Sequence, residues 1–280
     1  MSKADLTIAL DAMGGDHGPE VVIPGAAKAL QERPQARFLF FGERKRIEKV
    51  IGRYKTLERQ SEIHHTDRVV ANDEKPSTAL RKGKDTSMRL AIDAVARGDA
   101  QGVVSAGNTG ALMAMAKMSM KGLPEIHRPA IASVFPTMRG QTVVLDLGAN
   151  IQADSENLAQ YAVLGCVYAR LLFQVSTPRV GILNIGSEEV KGHDRLRGAA
   201  SILSHVDFPG LYQGFVEGDD IPKGSVDVVV TDGFTGNIAL KMAEGVAEFM
   251  GHSLRNAFES GFFARIGYLF ASRALKKMRK

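Results

Sequence analysis

Five short turns hold most of the residues in this chain that could do chemistry. They are residues 11–19 (DAMGGDHGP), 105–110 (SAGNTG), 146–150 (DLGAN), 184–192 (NIGSEEVKG) and 232–237 (DGFTGN), and each directly follows a short β-branched or apolar run. Each combines glycine with Asp, Asn, Ser or Thr. Glycine lets a backbone approach a ligand closely, and a strand-to-helix turn aims N–H groups at whatever sits there. The chemistry this pattern suits is anion binding, with phosphate the first expectation.

Other chemistries fit less well. No two glycines stand two positions apart, so the G-x-G-x-x-G fingerprint of dinucleotide sites is absent, as is the Gly-Lys-Ser/Thr ending of a nucleotide P-loop. The His64–His65 pair has no Cys or carboxylate at metal-ligand spacing and reads as an exposed strand end, so neither metal nor cofactor is expected. Cys166 sits in LGCVYARLL, among apolar neighbours, with Arg170 as its one basic contact at helical spacing. A reactive thiolate needs an electropositive, partly exposed setting, so a buried small hydrophobe is the better reading. There is no G-x-S-x-G elbow, and Ser105 has no His/Asp pair to activate it. If the chemistry is acyl transfer, the nucleophile is a bound substrate.

The turns need a scaffold, and the segments between them supply one. Strands are expected at 7–10, 37–41, 102–105, 130–135, 142–145, 179–184 and 226–231, several of them continuous apolar runs suited to burial on both faces. Helices are expected at 20–31, 43–54, 77–97, 109–120, 155–173 and 237–260. Leu158, Tyr161, Ala162, Gly165, Tyr168 and Leu172 form an apolar stripe on the fifth. This alternation predicts an α/β fold with a doubly wound, mainly parallel sheet, whose strand-to-helix turns gather at the carboxyl edge where ligands bind. No repeat, low-complexity tract or linker marks a boundary, so residues 1–280 read as a single α/β domain with 252–280 as a helical end. One cysteine excludes a disulfide framework. No charged-then-apolar leader opens the chain, and no apolar run nears the ~20 residues of a membrane span, which together predict a cytoplasmic protein.

Charge is uneven. Residues 252–280 carry seven Lys/Arg and one acid, Glu259, while the rest has 29 Lys/Arg against 30 Asp/Glu, so the formal net charge of +5 belongs to the tail. There Phe262, Phe263, Ile266, Leu269 and Phe270 share one helical face after the interruption at Gly261, with Arg273, Lys276, Lys277, Arg279 and Lys280 following. Packing within the fold or against a dimer mate, docking on an anionic membrane surface, and steering of an acidic partner all remain open. Nothing points to nucleic acid.

In order and spacing, DAMGGDHGP, SAGNTGALM, DLGAN, NIGSEEVKG and DGFTGN closely resemble the PlsX family of bacterial phosphate acyltransferases, from Asp11 to about Lys280. Five motifs in register are far more specific than one glycine loop. The resemblance implies an α/β/α sandwich related to the isopropylmalate dehydrogenase-like and phosphotransacetylase-like folds, and a homodimer. It implies transfer of a long acyl group from acyl carrier protein to inorganic phosphate. The acyl phosphate product would serve a membrane acyltransferase that acylates glycerol 3-phosphate. Such chemistry needs no Ser or Cys nucleophile, because phosphate itself attacks the thioester. Protein groups orient the reactants and stabilise the oxyanion.

On that reading Asp11, Gly14, Gly15, Ser105, Gly107, Asn108, Thr109, Gly110, Asn150 and Gly236 surround phosphate or substrate, and Lys191, Asn237 and Asp232 carry the catalysis. Asp11, Asp146 and Asp232 equally suit Asx turns or helix caps, and carboxylates near phosphate repel it unless a cation or proton intervenes. His17 is read as incidental. Family members usually continue for several dozen residues past the counterpart of Lys280, which predicts an incomplete sheet edge or an uncovered helix face here. Two rival functions stay in view: a phosphotransacetylase-like enzyme using acyl-coenzyme A, and a non-catalytic membrane-associated scaffold.

Overall fold

The computed structural model describes residues 6–188 and 190–278 and divides into two compact units, Met1–Pro129 and Ala130–Lys280. Both are α/β. In the first, β1 (Thr7–Asp11), β2 (Arg37–Gly42), β3 (Ser61–His65) and β4 (Gly102–Val104) form a wholly parallel sheet in the order β3-β2-β1-β4. Its helices are α1 (Pro19–Glu32), α2 (Arg44–Ile51), α3 (Lys55–Arg59), α4 (Pro76–Lys82), α5 (Ser87–Arg97) and α6 (Thr109–Ser119). Alternation along β2 explains the layering. Phe38 and Phe40 pack with Ile23, Leu30, Ile47 and Leu57 on the α1–α3 face, while Phe41 turns to Ala91 and Ala94 of α5 on the other.

The helix expected at 77–97 is two helices. At Gly83, where the first of them ends, the backbone lies so close to the Ala79 carbonyl and to Met115 of α6 that a side chain would collide with both. Thr86 starts the second, its hydroxyl donating to the Gly83 carbonyl and accepting from Arg89 N–H. Of strand β3 (SEIHH), only the exposed end at His64–His65 was read from the sequence. The strand is a polar edge strand recruited by pairing with β2.

In the second unit β5 (Ala132–Thr137), β6 (Gly140–Leu145), β7 (Arg179–Leu183), β8 (Leu211–Val216) and β9 (Val228–Val230) form a sheet in the order β5-β6-β9-β7-β8. Only β5 runs antiparallel to its neighbour. Helices α7 (Ser155–Phe173), α8 (Asp194–His205), α9 (Asp220–Lys223), α10 (Gly233–Glu259) and α11 (Phe262–Met278) complete it. Val143, Leu145, Val180, Ile182, Val228 and Val230 meet Leu158, Tyr161, Ala162 and Cys166 of α7 and Leu203 of α8. The opposite face packs Val144, Val229 and Val216 with Leu147 and Ile221. Tyr168 and Leu172, counted in the expected stripe, are 40% and 49% exposed, while Ala169 between them is buried in the core. Strand β8 was also missed, its LYQGFV run broken by Gly214.

Candidate active site

In the first unit the chain winds from β1 outward to β2 and β3, then returns to place β4 on the other side of β1. That reversal makes a crevice beyond the carboxyl ends of β1 and β4, the place where open α/β sheets bind ligands. Both glycine turns lie there. Asp11, buried at the end of β1, accepts a 2.6 Å hydrogen bond from the Ser105 hydroxyl and one from Met13 N–H, and Ser105 Oγ in turn accepts from Gly107 N–H. The carboxylate therefore locks the two turns together. Gly14 is required by this approach: a Cβ there would lie 2.6 Å from Asp11 Oδ2 and 2.9 Å from Gly107 N.

Gly14, Gly15, Gly107, Asn108, Thr109 and Gly110 all line the resulting cleft of about 620 Å³. Asn108 caps α6, its side-chain oxygen accepting from Ala111 N–H, and its amide donates to the carbonyls of Asn72 and Glu74 at 2.9 Å each. The cap leaves Thr109 and Gly110 N–H, at the positive end of the helix, without an acceptor among the described residues. Among the described residues no Lys or Arg lines this cleft. His17 lies on its wall.

In the second unit the loops after β6, β9 and β7 emerge side by side. Asp146 is fully buried and accepts five hydrogen bonds, from the N–H groups of Ile131, Gly148, Ala149 and Asn150 and from the Asn150 side chain. It organises the turn. Asn150 also donates to the Tyr161 hydroxyl. The loop after β9 packs directly on this turn: Gly233 N–H bonds the Asn150 carbonyl, and a side chain at Gly236 would overlap the Asp146 carbonyl. Asn237 is exposed one residue further, its side chain near Gly148. Asp232 caps α10 through Thr235 N–H and lies 3.3 Å from the Arg195 guanidinium.

Lys191, in the loop after β7, is exposed and 2.7 Å from Glu188. The hydrogen bond it donates to Glu188 raises the ammonium above its ordinary range, and the same contact holds the Glu188 carboxyl low. Lys191 stands beside the cleft of about 670 Å³ that Asp232, Arg195, His193, Thr231 and Thr235 help to line. Arg195 was not anticipated. The available signal was an arginine in the first turn of a helix, where the macrodipole disfavours a cation unless something compensates it.

The structure thus brings the two turns of the first unit around one cleft, and around another it brings residues of the turns after β7 and β9 with Ile151 and Gln152, which follow the 146–150 turn; Asn150, Lys191, Gly236 and Asn237 lie outside that lining. In α11, Phe262, Phe263, Leu269 and Phe270 are 70–84% exposed and Ile266 is 37% exposed. The side chains of Arg273, Lys276 and Lys277, and residues Arg279 and Lys280, lie outside what is described. Among the described residues no helix is long and apolar enough to cross a membrane.

These features define a class. The fold is that of the phosphotransacylases: it superposes on the EutD phosphotransacetylase from Staphylococcus aureus with a TM-score of 0.60 over 87% of this chain and 83% of that one, at 18% identity. A branched-chain phosphotransacylase from Enterococcus faecalis V583 gives 0.53 over 84% and 83%, at 15% identity. Sequence is more specific. A family model described as fatty acid synthesis protein matches residues 6–280. The phosphate acyltransferase of Rhodospirillum centenum is 55% identical over 272 residues, 97% of this chain and 77% of that protein. That of Brucella anthropi is 54% identical over 277 residues, 98% and 79%. The chain belongs to the fatty acid synthesis protein family, the PlsX family whose motifs it carries, and is an acyltransferase.

Proposed function

We propose that the chain transfers a long-chain acyl group from acyl carrier protein to inorganic phosphate, releasing acyl phosphate. The observation that carries this is the first cleft, where two glycine turns and the start of α6 offer unpaired N–H groups at a sheet switch point. A phosphate oxygen attacks the thioester carbonyl, forming a C–O bond. The tetrahedral intermediate then expels the thiolate as the C–S bond breaks, and the phosphate proton ends on the thiol. Asp11, held by Ser105, positions the phosphate turns and is no ligand. Lys191 and Asn237 supply positive charge and a hydrogen-bond donor to the oxyanion, each worth about 10²-fold or more in rate. Asp232 fixes the α10 turn from which Asn237 projects.

The acyl phosphate then passes to a membrane acyltransferase acting on glycerol 3-phosphate. The exposed aromatic face of α11 supports action as a homodimer at the cytoplasmic face of an anionic membrane. The decisive experiment traps acyl phosphate as the hydroxamate from palmitoyl-acyl carrier protein and phosphate. A phosphate-dependent signal, lost in Lys191→Ala, is expected. Equal turnover of palmitoyl-coenzyme A would favour a phosphotransacetylase-like donor, and vesicle binding without any turnover would leave only a scaffold.

A further inference from the structure

The carboxyl edge of the second unit carries a cluster that the reaction above does not use. Ile151 and Ile185 come from the loops after β6 and β7 and Phe234 from the first turn of α10; all three line one cleft, yet they are 74%, 80% and 61% exposed. Single exposed apolar side chains are ordinary, but three large ones on adjoining segments around one concavity mark a surface that a ligand covers. Leu183 and Leu196 carry the apolar lining inward.

A cation stands in the same cleft. Arg195 makes one 3.3 Å contact to Asp232, and its Nε is buried without an acceptor. A guanidinium has five donors and braces a carboxylate best through two of them, so one contact leaves most of its capacity unused. A desolvated donor without a partner is costly until an oxygen reaches it. Apolar walls with a hydrogen-bonding cation suit a long alkyl chain that ends in a polarised or anionic oxygen. A small hydrophilic anion would leave the rim bare, and a cationic amphiphile would be repelled.

We propose that this cleft is the acyl-chain site, with Ile151, Ile185 and Phe234 covering the chain and Arg195 facing the oxygen at its head. The inference rests on the acyl-transfer reading, in which the thioester, its tetrahedral intermediate and the acyl phosphate all carry such an oxygen.

The test is binding, measured by calorimetry on the full chain with dodecyl phosphate and butyl phosphate as probes. Each methylene withdrawn from water is worth about fourfold in affinity, so even partial cover makes the long probe at least ~30-fold tighter. The Ile185→Ser/Phe234→Ser double variant should compress that ratio below about fivefold, and Ile151→Ser alone should move it the same way. These side chains are exposed, and unchanged thermal melting confirms that the fold is kept. Arg195→Gln should weaken both probes by about tenfold while preserving their ratio, with partial recovery in Arg195→Lys. A ratio that survives in the rim variants, or probes indifferent to Arg195→Gln, overturns the proposal. If the rim variants behave as expected but no acyl phosphate forms in the turnover assay, the chain site stands and the reaction assignment falls. The reverse pattern sinks the chain site alone.

Discussion

The two carboxyl edges of this molecule are built from different materials. In the first unit the cleft wall is largely glycine and helix-start backbone, with no Lys or Arg among the described residues, and the buried Asp11 carboxylate ties two turns together. In the second, the backbone is packed tightly beneath, and side chains stand at the rim: Arg195, Asp232, Phe234 and two isoleucines. A backbone-built site is indifferent to side-chain truncation and intolerant of added atoms. A side-chain-built site behaves in the opposite way.

The contrast breaks most visibly at glycine. Gly236→Ala forces a methyl into the Asp146 carbonyl beneath the second cleft, and a loss of about 3 kcal/mol in urea unfolding is expected. Gly14→Ala pushes the first turn off Asp11 and Gly107, and phosphate affinity should fall on the order of 100-fold by calorimetry. Gly25, inside α1 with nothing within 4 Å of a built Cβ, is the counter-case. There Gly25→Ala should raise stability by about 0.5–1 kcal/mol and leave phosphate binding alone. Equal damage from all three would erase the distinction.

The opposite ends of the sheets extend it. At the start of β1 a neutral contact serves, Thr7 N–H to the Gln101 side chain. Between β7 and β9 an ion pair does the same work, Arg179 giving Asp227 two side-chain bonds and one from its backbone. Burial alone would raise the Asp227 carboxyl, but the bonds from Arg179 outweigh it and hold the group below the ordinary carboxylate range. Its stabilisation is therefore complete above that range and disappears as pH falls through the lowered value. Asp227→Asn should cost about 2 kcal/mol at neutral pH, with the gap from the parent closing in acid. The smallest effect concerns Cys166. Burial pushes its thiol up to about 11, against a lesser lowering by Arg170, so iodoacetamide at pH 7.5 should label it only after unfolding.

Much of the scaffold was legible because it depends on local pattern. The helix expected at 155–173 ends on those residues, and the strands bearing β-branched runs fall within a few positions of their expected places. What escaped was set by tertiary contact. SEIHH has no strand pattern of its own and becomes β3 only beside β2. The chain at Gly83 packs against Met115, 32 positions later, a contact that local pattern does not reveal. The glycine turns were visible as motifs, but that Asn108 uses both ends of its amide, or that Asp146 gathers five donors, depends on partners that spacing does not reveal. Arg195 belongs to none of the five motifs, and its pairing with Asp232 is a property of the fold.

The bond between Asp11 and Ser105 spans 94 residues, and the amide of Asn108 reaches back 36 to Asn72. On a ribosome adding ~5–20 residues per second, the first turn emerges roughly 5–20 seconds before the second exists to meet it. Through that interval β1 has β2 on one side and an open edge on the other. The crevice at that edge is completed in a late step, well after most of the surrounding helices can form.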